Sequence, residues 1–169
     1  MESLEIVLGE RTSEFSPEEK NAFAAEKNSI YRSYLQKLSP SFVSPVVPVV
    51  LEKLRAAGLK LAVGSSSRNT PLILERTDLR KYFDAVSDGN NISRSKPDPE
   101  VFLKAALFLG LEPSECIVVE DADSGIEAAK RGGFEAISIG DAVTGNLADR
   151  HIGSLKELQD LPELQQSWR

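Results

Sequence analysis

The feature that most constrains the fold is a regular alternation of short apolar segments and helical segments between residues 46 and 139. The apolar segments predict four strands, over 60–64, 83–87, 115–119 and 134–139. The segments between and before them predict helices over 46–57, 71–76, 99–109 and 125–131. Strands that are separated by helices indicate a parallel, doubly wound sheet with helices on both faces. The predicted fold class is therefore α/β.

The first forty residues have a different character, because they contain helical patterns and no predicted strand. Helices are predicted over 2–8 and 17–38, and the second has a clear start signal. Ser16 can serve as the N-cap, Pro17 takes the first helical position, and two glutamates follow in the first turn. The proline-containing segment 39–45 predicts a linker. We therefore expect two units, over 1–40 and 45–169.

Composition and charge exclude several function classes. The chain has 20 Lys and Arg residues against 26 Asp and Glu residues, a net charge of −6. This balance disfavours nucleic acid and anionic membrane surfaces as partners, because both require basic patches. No apolar run reaches the ~18–20 residues that a membrane-spanning helix needs. The single cysteine, Cys116, excludes an internal disulfide framework, so a cytoplasmic location is expected. The sequence carries no indication of oligomeric state.

Polar segments follow the predicted strands, and ligands of doubly wound sheets bind at the carboxyl ends of strands. The first strand leads into 65–69, which reads Ser-Ser-Ser-Arg-Asn. Hydroxyl groups, free backbone N–H groups at a helix start and a guanidinium together favour an anion. An N-cap with a surface arginine would explain the same residues, so this segment alone leaves both interpretations open.

Two further segments carry charges that suit phosphate chemistry. Lys96 lies between Ser95 and Pro97, where it can act as a point charge for a phosphoryl group or remain a solvated lysine. Glu120, Asp121 and Asp123 follow the third strand and suit Mg²⁺, although an acidic turn that caps the next helix is the alternative. Hydroxyls, a lysine and paired acids, each after its own strand, together predict phosphoryl transfer.

These segments resemble the motifs of the haloacid dehalogenase superfamily of aspartate-dependent phosphotransferases. Residues 63–67 resemble its second motif, Lys96-Pro97 its third, and 118–125 its fourth. Further matches favour the β-phosphoglucomutase-like branch: Ser-Arg-Asn at 67–69, Leu-Glu-Arg at 74–76, and Lys27-Asn28 in the first long helix. The resemblance covers nearly the whole chain, from residue 2 to about residue 140.

The resemblance implies Mg²⁺-dependent phosphoryl transfer on a small phosphorylated sugar, with isomerisation of glucose 1-phosphate to glucose 6-phosphate as the first expectation. It implies that Ser65 and Lys96 are catalytic and hold the transferring phosphoryl group with Ser66. It assigns the second phosphate to Ser67, Arg68 and Asn69, the metal ion to Glu120 and Asp121, and a substrate contact from the cap to Lys27. An exposed helical lysine is the alternative for Lys27.

The chain departs from the family pattern in one respect, because Asp-x-Asp-Gly occurs nowhere in it. In the family that motif ends a central strand, and its first aspartate is the nucleophile. We therefore expect a core without its first, central strand, between strands 60–64 and 115–119, and a partial helical cap over 1–40. Truncation, a misassigned start and lost catalysis would each explain this. The chain by itself is expected to be inactive; a small-metabolite phosphatase and a non-catalytic phosphosugar-binding remnant are the alternatives.

Overall fold

The computed structural model describes residues 9–160 of the 169-residue chain. Its α-helices are α1 (Pro17–Leu35), α2 (Val46–Ala56), α3 (Thr70–Arg76), α4 (Glu100–Leu109) and α5 (Asp123–Arg131). Its strands are β1 (Ala62–Gly64), β2 (Ala85–Ser87), β3 (Ile117–Glu120), β4 (Glu135–Ile139) and β5 (Arg150–Ile152). Short 3₁₀ helices span Gly9–Glu14, Pro40–Phe42, Arg80–Tyr82, Pro113–Glu115 and Leu155–Asp160. The helix predicted over 2–8 lies outside the described residues.

The strands form two parallel sheets, which confirms the predicted α/β class. β1 pairs with β2 in one sheet, and β3, β4 and β5 follow one another in the other. The four predicted strands are present with ends shifted by one or two residues, and Glu120 belongs to β3 rather than to the loop after it. β5 was not predicted, because Arg150-His151-Ile152 contains only one aliphatic residue between polar neighbours.

Two apolar clusters lie on opposite faces of the larger sheet, as a doubly wound fold requires. On β4, Ala136 packs with residues of α4 and α5, whereas the adjacent Ile137 packs with Val50 of α2 and with Leu158. Successive side chains of a strand point to opposite faces, so one strand contributes to both clusters. All four of these side chains are almost fully buried.

An apolar cleft of about 510 Å³ separates the two sheets. Ala62 and Gly64 of β1 line one side of it, and residues 117–120 of β3 line the other. Helix α4 contributes Phe102 and Ala106, and α2 contributes Leu51. Within the described residues, β1 pairs only with β2 and β3 only with β4, so each has one unpaired edge toward this cleft. The gap lies where the sequence predicted a missing central strand.

Helix α1 begins as the sequence predicts and ends three residues earlier. The side chain of Ser16 accepts a hydrogen bond from the backbone of Glu19, and the Glu19 carboxylate accepts one from the backbone of Ser16. Only Leu35 of this helix is buried, and the helix contacts the rest of the chain at α3. Among residues 9–160, no helix is long and apolar enough to cross a membrane.

Candidate active site

The loop after β1, residues 65–68, is called the anion loop here. It is ordered by its own hydroxyl groups. Ser65 Oγ accepts from the backbone N–H of Ser67 at 3.2 Å, and Ser67 Oγ accepts from the backbone N–H of Asn69 at 3.1 Å. The N–H groups of Ser66 and Arg68 donate to no described residue. The loop therefore offers two free backbone donors, together with the hydroxyl protons of Ser65 and Ser66.

The loop after β2 fixes the anion loop from the other side. Gly89 lies so close that a Cβ atom there would be 2.5 Å from the carbonyl oxygen of Ser66 and 2.8 Å from the backbone nitrogen of Arg68. Arg68 Nε donates to the Gly89 carbonyl oxygen at 3.1 Å. This contact orients the guanidinium and leaves both of its terminal nitrogens without a partner in the described part of the chain. Gly89 was not among the predicted site residues, although the Asp-Gly pair at 88–89 is a turn signal.

Lys96 contacts residues of two other predicted motifs, Ser66 of the anion loop and Glu120 of β3. Its backbone N–H donates to Ser66 Oγ at 3.4 Å, which links it to the anion loop. Its ammonium lies 2.6 Å from Glu120 Oε2 and 4.5 Å from the centre of the Phe102 ring. The side chains of Lys96 and Glu120 are 16% and 10% exposed. A residue expected at the phosphate and one expected at the metal thus form an ion pair.

The carboxylate of Glu100 fixes the segment just before Lys96 in the sequence by hydrogen bonds to residues 93 and 94. Glu100 Oε2 accepts hydrogen bonds from the backbone N–H groups of Ser93 and Arg94 and from the Ser93 hydroxyl. The Lys104 ammonium, together with these donors, lowers the pKa of Glu100 to about 2. Asp98 Oδ1 accepts from the backbone N–H of Glu100 at 3.0 Å, which satisfies one backbone donor at the start of α4.

The three carboxylates at the end of β3 and just after it differ in their surroundings. Glu120 pairs with Lys96, whereas the Asp121 carboxylate is exposed and accepts no hydrogen bond from a described residue. Asp123 does not cap α5. It accepts from the hydroxyl of Thr144 and from the backbone of Gly145, and these hydrogen bonds lower its pKa. No group of three or more metal-ligating side chains of His, Cys, Asp or Glu occurs in residues 9–160.

The remaining expected site residues lie where α1 meets α3. Asn69 is almost fully buried, and its amide bonds to Asn28 and Arg32 of α1 rather than facing the anion loop. Lys27 is an exposed residue of α1, next to Asn28. Arg32 was not among the predicted site residues, because no spacing signal distinguishes it from the other basic residues of α1.

Residues 6–139 match the sequence model of the haloacid dehalogenase-like hydrolases. The chain belongs to this family. The family contains phosphatases and phosphomutases, so the chain belongs to a family of enzymes. The residues that resembled the second, third and fourth motifs are the ones that the structure places around the carboxyl ends of β1 and β3.

Relatives within the family have both kinds of activity. The chain is 36% identical over 141 residues to a β-phosphoglucomutase of Bacillus subtilis, which covers 82% of the chain and 62% of that protein. It is 36% identical over 119 residues to a fructose-1-phosphate phosphatase of Escherichia coli, which covers 70% of the chain and 62% of that protein. The chain thus spans less than two thirds of the length of these relatives.

A solved structure supports the same relationship. The crystal structure of a β-phosphoglucomutase from Clostridium difficile superimposes with a TM-score of 0.88 at 28% identity, over 99% of the chain and 75% of that protein. The crystal structure of an HAD phosphatase from Thermococcus onnurineus gives a TM-score of 0.65 at 36% identity, over 70% of the chain. The fold and the family are therefore shared with phosphomutases and phosphatases alike.

Proposed function

We propose that the chain is the phosphate- and metal-holding part of an Mg²⁺-dependent phosphotransferase that acts on a small phosphorylated sugar. The specific activity that we propose is β-phosphoglucomutase-type isomerisation of glucose 1-phosphate to glucose 6-phosphate. The observation that carries the proposal is that Lys96 contacts both Ser66 of the anion loop and Glu120 at the end of β3. The similarity to β-phosphoglucomutases supports the choice of substrate.

In this proposal the anion loop and Lys96 bind the transferring phosphoryl group. The Ser65 hydroxyl and the free N–H of Ser66 donate to its oxygens, and the Lys96 ammonium offsets their negative charge. Glu120 and Phe102 fix that ammonium, so the charge is oriented before the substrate arrives. Arg68 and Ser67 lie further along the same loop, where we propose that the second phosphate of a bisphosphate is bound.

The donors after β3 fit Mg²⁺, because this ion takes one or two carboxylates and completes its shell with water and phosphate oxygens. Asp121 supplies an exposed carboxylate without a described partner, and Glu120 lies beside it. When bound, the ion would neutralise charge on the phosphoryl oxygens. Asp121→Ala should abolish binding of Mn²⁺ as measured by water-proton relaxation, whereas Asp141→Ala, at an exposed aspartate elsewhere, should not. Unchanged Mn²⁺ affinity in Asp121→Ala would remove the metal assignment.

The phosphate site is tested by titration with inorganic phosphate in calorimetry. Ser65→Ala and the double variant Lys96→Met/Glu120→Gln should each weaken binding, and Ser41→Ala, at an exposed serine of the linker, should not. Loss of a charge-assisted hydrogen bond costs about 1.5–3 kcal/mol, which is roughly ten- to a hundredfold in Kd. Phosphate that binds equally well to all of these variants would contradict the proposed site.

A phosphatase is the second candidate, because several relatives carry that name. The two activities differ in the acceptor of the phosphoryl group, which is a sugar hydroxyl in a mutase and water in a phosphatase. The nucleophilic aspartate of the family pattern is absent from residues 1–169. The assay therefore adds β-glucose 1-phosphate and a trace of the bisphosphate to the chain together with a peptide that carries an apolar strand and Asp-x-Asp-Gly. Glucose 6-phosphate would support the mutase, and inorganic phosphate without it would support the phosphatase.

A further inference from the structure

A buried carboxylate that the proposed function does not use lies directly after β2. Asp88 is only 3% exposed. Its Oδ1 accepts two hydrogen bonds from Asn90, from the backbone N–H at 2.8 Å and from the side-chain amide nitrogen at 3.0 Å. Because an ionised carboxylate can only accept, the Nδ2 atom of Asn90 and not its oxygen must face Asp88. Asp88 therefore fixes the orientation of an amide whose own residue is exposed.

The same amide nitrogen contacts the anion loop. Asn90 Nδ2 donates to the carbonyl oxygen of Arg68 at 3.0 Å. A carbonyl oxygen has no proton to donate, so both neighbours of this nitrogen require a donor, and the two protons of the amide supply one each. A carboxylate of the same size and shape could make neither hydrogen bond. The contact thus depends on the chemistry of the amide rather than on packing.

Residues 88–91, called the β2 loop here, hold Arg68 at a second point. The N–H of Gly89 donates to the carbonyl oxygen of Ser67 at 3.3 Å, and the carbonyl oxygen of Gly89 accepts from Arg68 Nε at 3.1 Å. Arg68 is therefore held through its backbone by Asn90 and through its side chain by Gly89. A guanidinium that is bound at Nε presents Nη1 and Nη2 as a planar fork, which matches two oxygens of one anionic group.

Contacts with β2 and α4 fix the other end of the β2 loop. Asn91 Oδ1 accepts from the hydroxyl of Ser87 at 3.1 Å and from the backbone N–H of Asp88 at 3.2 Å. The ammonium of Lys104 on α4 donates to the carbonyl oxygen of Asn91. None of these contacts involves α1. The β2 loop is therefore anchored on the α/β core and provides a fixed support for Arg68.

We propose that Asn90, held by Asp88, is a positioning residue that orients Arg68 toward a second anionic group of the ligand. The positioning rests only on the contacts described above, whereas its effect on a ligand rests on the proposed function, in which Arg68 binds the second phosphate. Inorganic phosphate has no second group, and in the proposed function it uses Lys96 and the first two serines of the anion loop. Asn90 therefore sets the preference for a bisphosphate over a single phosphate.

The positioning is tested first without any ligand, by NMR measurement of solvent exchange at the Arg68 Nε–H at mildly acidic pH. Asn90→Ala should accelerate this exchange by roughly two- to tenfold, as expected for the loss of one neutral hydrogen bond. Asn90→Asp preserves the shape of the side chain and should have the same effect, because its carboxylate would face two acceptors. Asp88→Ala should also accelerate the exchange, and combining it with Asn90→Ala should add nothing, because Asp88 acts through Asn90.

The matched control is Asn146→Asp, which adds the same negative charge at an exposed residue of the loop after β4. It should leave exchange at the Arg68 Nε–H unchanged. Exchange that is unchanged in Asn90→Ala or in Asn90→Asp, or equally accelerated in the Asn146 variant, would overturn the positioning.

The effect on the ligand is tested by calorimetry with inorganic phosphate and with glucose 1,6-bisphosphate as the two probes. Asn90→Ala should lower the ratio of bisphosphate to phosphate affinity severalfold, and Asn146→Ala should not change it. In an Arg68→Ala background, Asn90→Ala should lower the ratio no further, because Asn90 acts through Arg68.

Three outcomes of this experiment have different meanings. An equal loss of affinity for both probes in Asn90→Ala would show a general effect on the anion loop and would overturn the proposed preference. Additive losses in the double variant with Arg68→Ala would overturn it as well. If neither probe binds to the unmodified chain, the proposed function is contradicted instead, and exchange at the Arg68 Nε–H still decides the positioning.

Discussion

Single substitutions overstate how much the ion pair between Lys96 and Glu120 contributes to the free energy of unfolding. Removing one partner leaves the other as an uncompensated charge in a site that is at most 16% exposed. We expect Lys96→Met to lower the free energy of unfolding by about 1–3 kcal/mol. The double variant Lys96→Met/Glu120→Gln should recover part of that loss, because no buried charge is left unpaired.

The measurement is a double-mutant cycle by urea denaturation, with Glu120→Gln as the fourth corner. The exposed pair Lys81–Asp78, with an N–O distance of 2.6 Å, is the matched control, since exposed pairs contribute little. A coupling energy for Lys96–Glu120 that does not exceed that of the control pair would contradict this account.

Gly125 is needed for the placement of the Glu120 carboxylate. A Cβ atom at position 125 would lie 2.2 Å from Glu120 Cδ, a distance that no side chain tolerates. Gly125→Ala should therefore displace Glu120, break its contact with Lys96 and lower the melting temperature. Ser124→Ala, at the exposed preceding residue, should leave the Lys96–Glu120 contact and the melting temperature unchanged. The check is the Lys96 ammonium signal in NMR spectra, and an unaltered signal in Gly125→Ala would show that the carboxylate has not moved.

At the scale of elements, the start of α4 should make stability sensitive to acid. The pKa of Glu100 is about 2 in the folded chain, below its ordinary value of 4.5, because Lys104 and Ser93 favour the ionised form. Its contribution is therefore complete above about pH 4.5 and is lost as the pH falls toward 2. Glu100→Gln should reduce the difference in urea midpoint between pH 6 and pH 3.

The matched control is Glu127→Gln, because the exposed Glu127 carboxylate only approaches Arg131, at 3.6 Å. It should leave the pH dependence as it is. Residues 93–96 should also exchange their amides faster in Glu100→Gln, since the carboxylate holds the N–H groups of Ser93 and Arg94. Equal pH dependence in the Glu100 and Glu127 variants would show that this loop is not held by the ionised carboxylate.

The helices and strands that could be predicted from the sequence each have a local sequence signal, such as a capping residue or an apolar run. The contacts that could not be predicted have no such signal. The start of α1 follows from the Ser16 cap, and β1 to β4 follow from short apolar runs next to helices. β5 depends on tertiary pairing with β4 instead. Motif order predicted Ser65, Lys96 and Glu120 as site residues, but only the folded chain shows that Lys96 pairs with Glu120 and that the Asn69 side chain bonds to α1. Such pairings depend on distances between segments that sequence periodicity does not encode.

At the scale of the whole molecule, two half-sheets face each other across an apolar cleft. β1 and β3 each present an edge of backbone N–H and C=O groups toward it. An unsatisfied buried polar group costs about 1–3 kcal/mol, so a handful of them would exceed a typical net stability of ~5–15 kcal/mol. Helices α2 and α4 cover the cleft with apolar side chains, which suits a strand that is buried on both faces. We expect the chain alone to be inactive, marginally stable and prone to aggregate.

An extended apolar peptide that ends in Asp-x-Asp-Gly should bind in this cleft and join the two half-sheets. At a peptide concentration a hundred times its Kd, binding would stabilise the fold by about 2.7 kcal/mol, which is roughly 5–10 °C in melting temperature. A peptide with proline in the middle of the strand should have no effect, because it cannot complete the hydrogen bonds on both sides. Replacing the first aspartate by asparagine should preserve the thermal shift and remove any phosphotransferase activity. A chain that is a cooperative, soluble monomer with full mutase turnover and no response to the peptide would show that neither the strand nor its aspartate is needed.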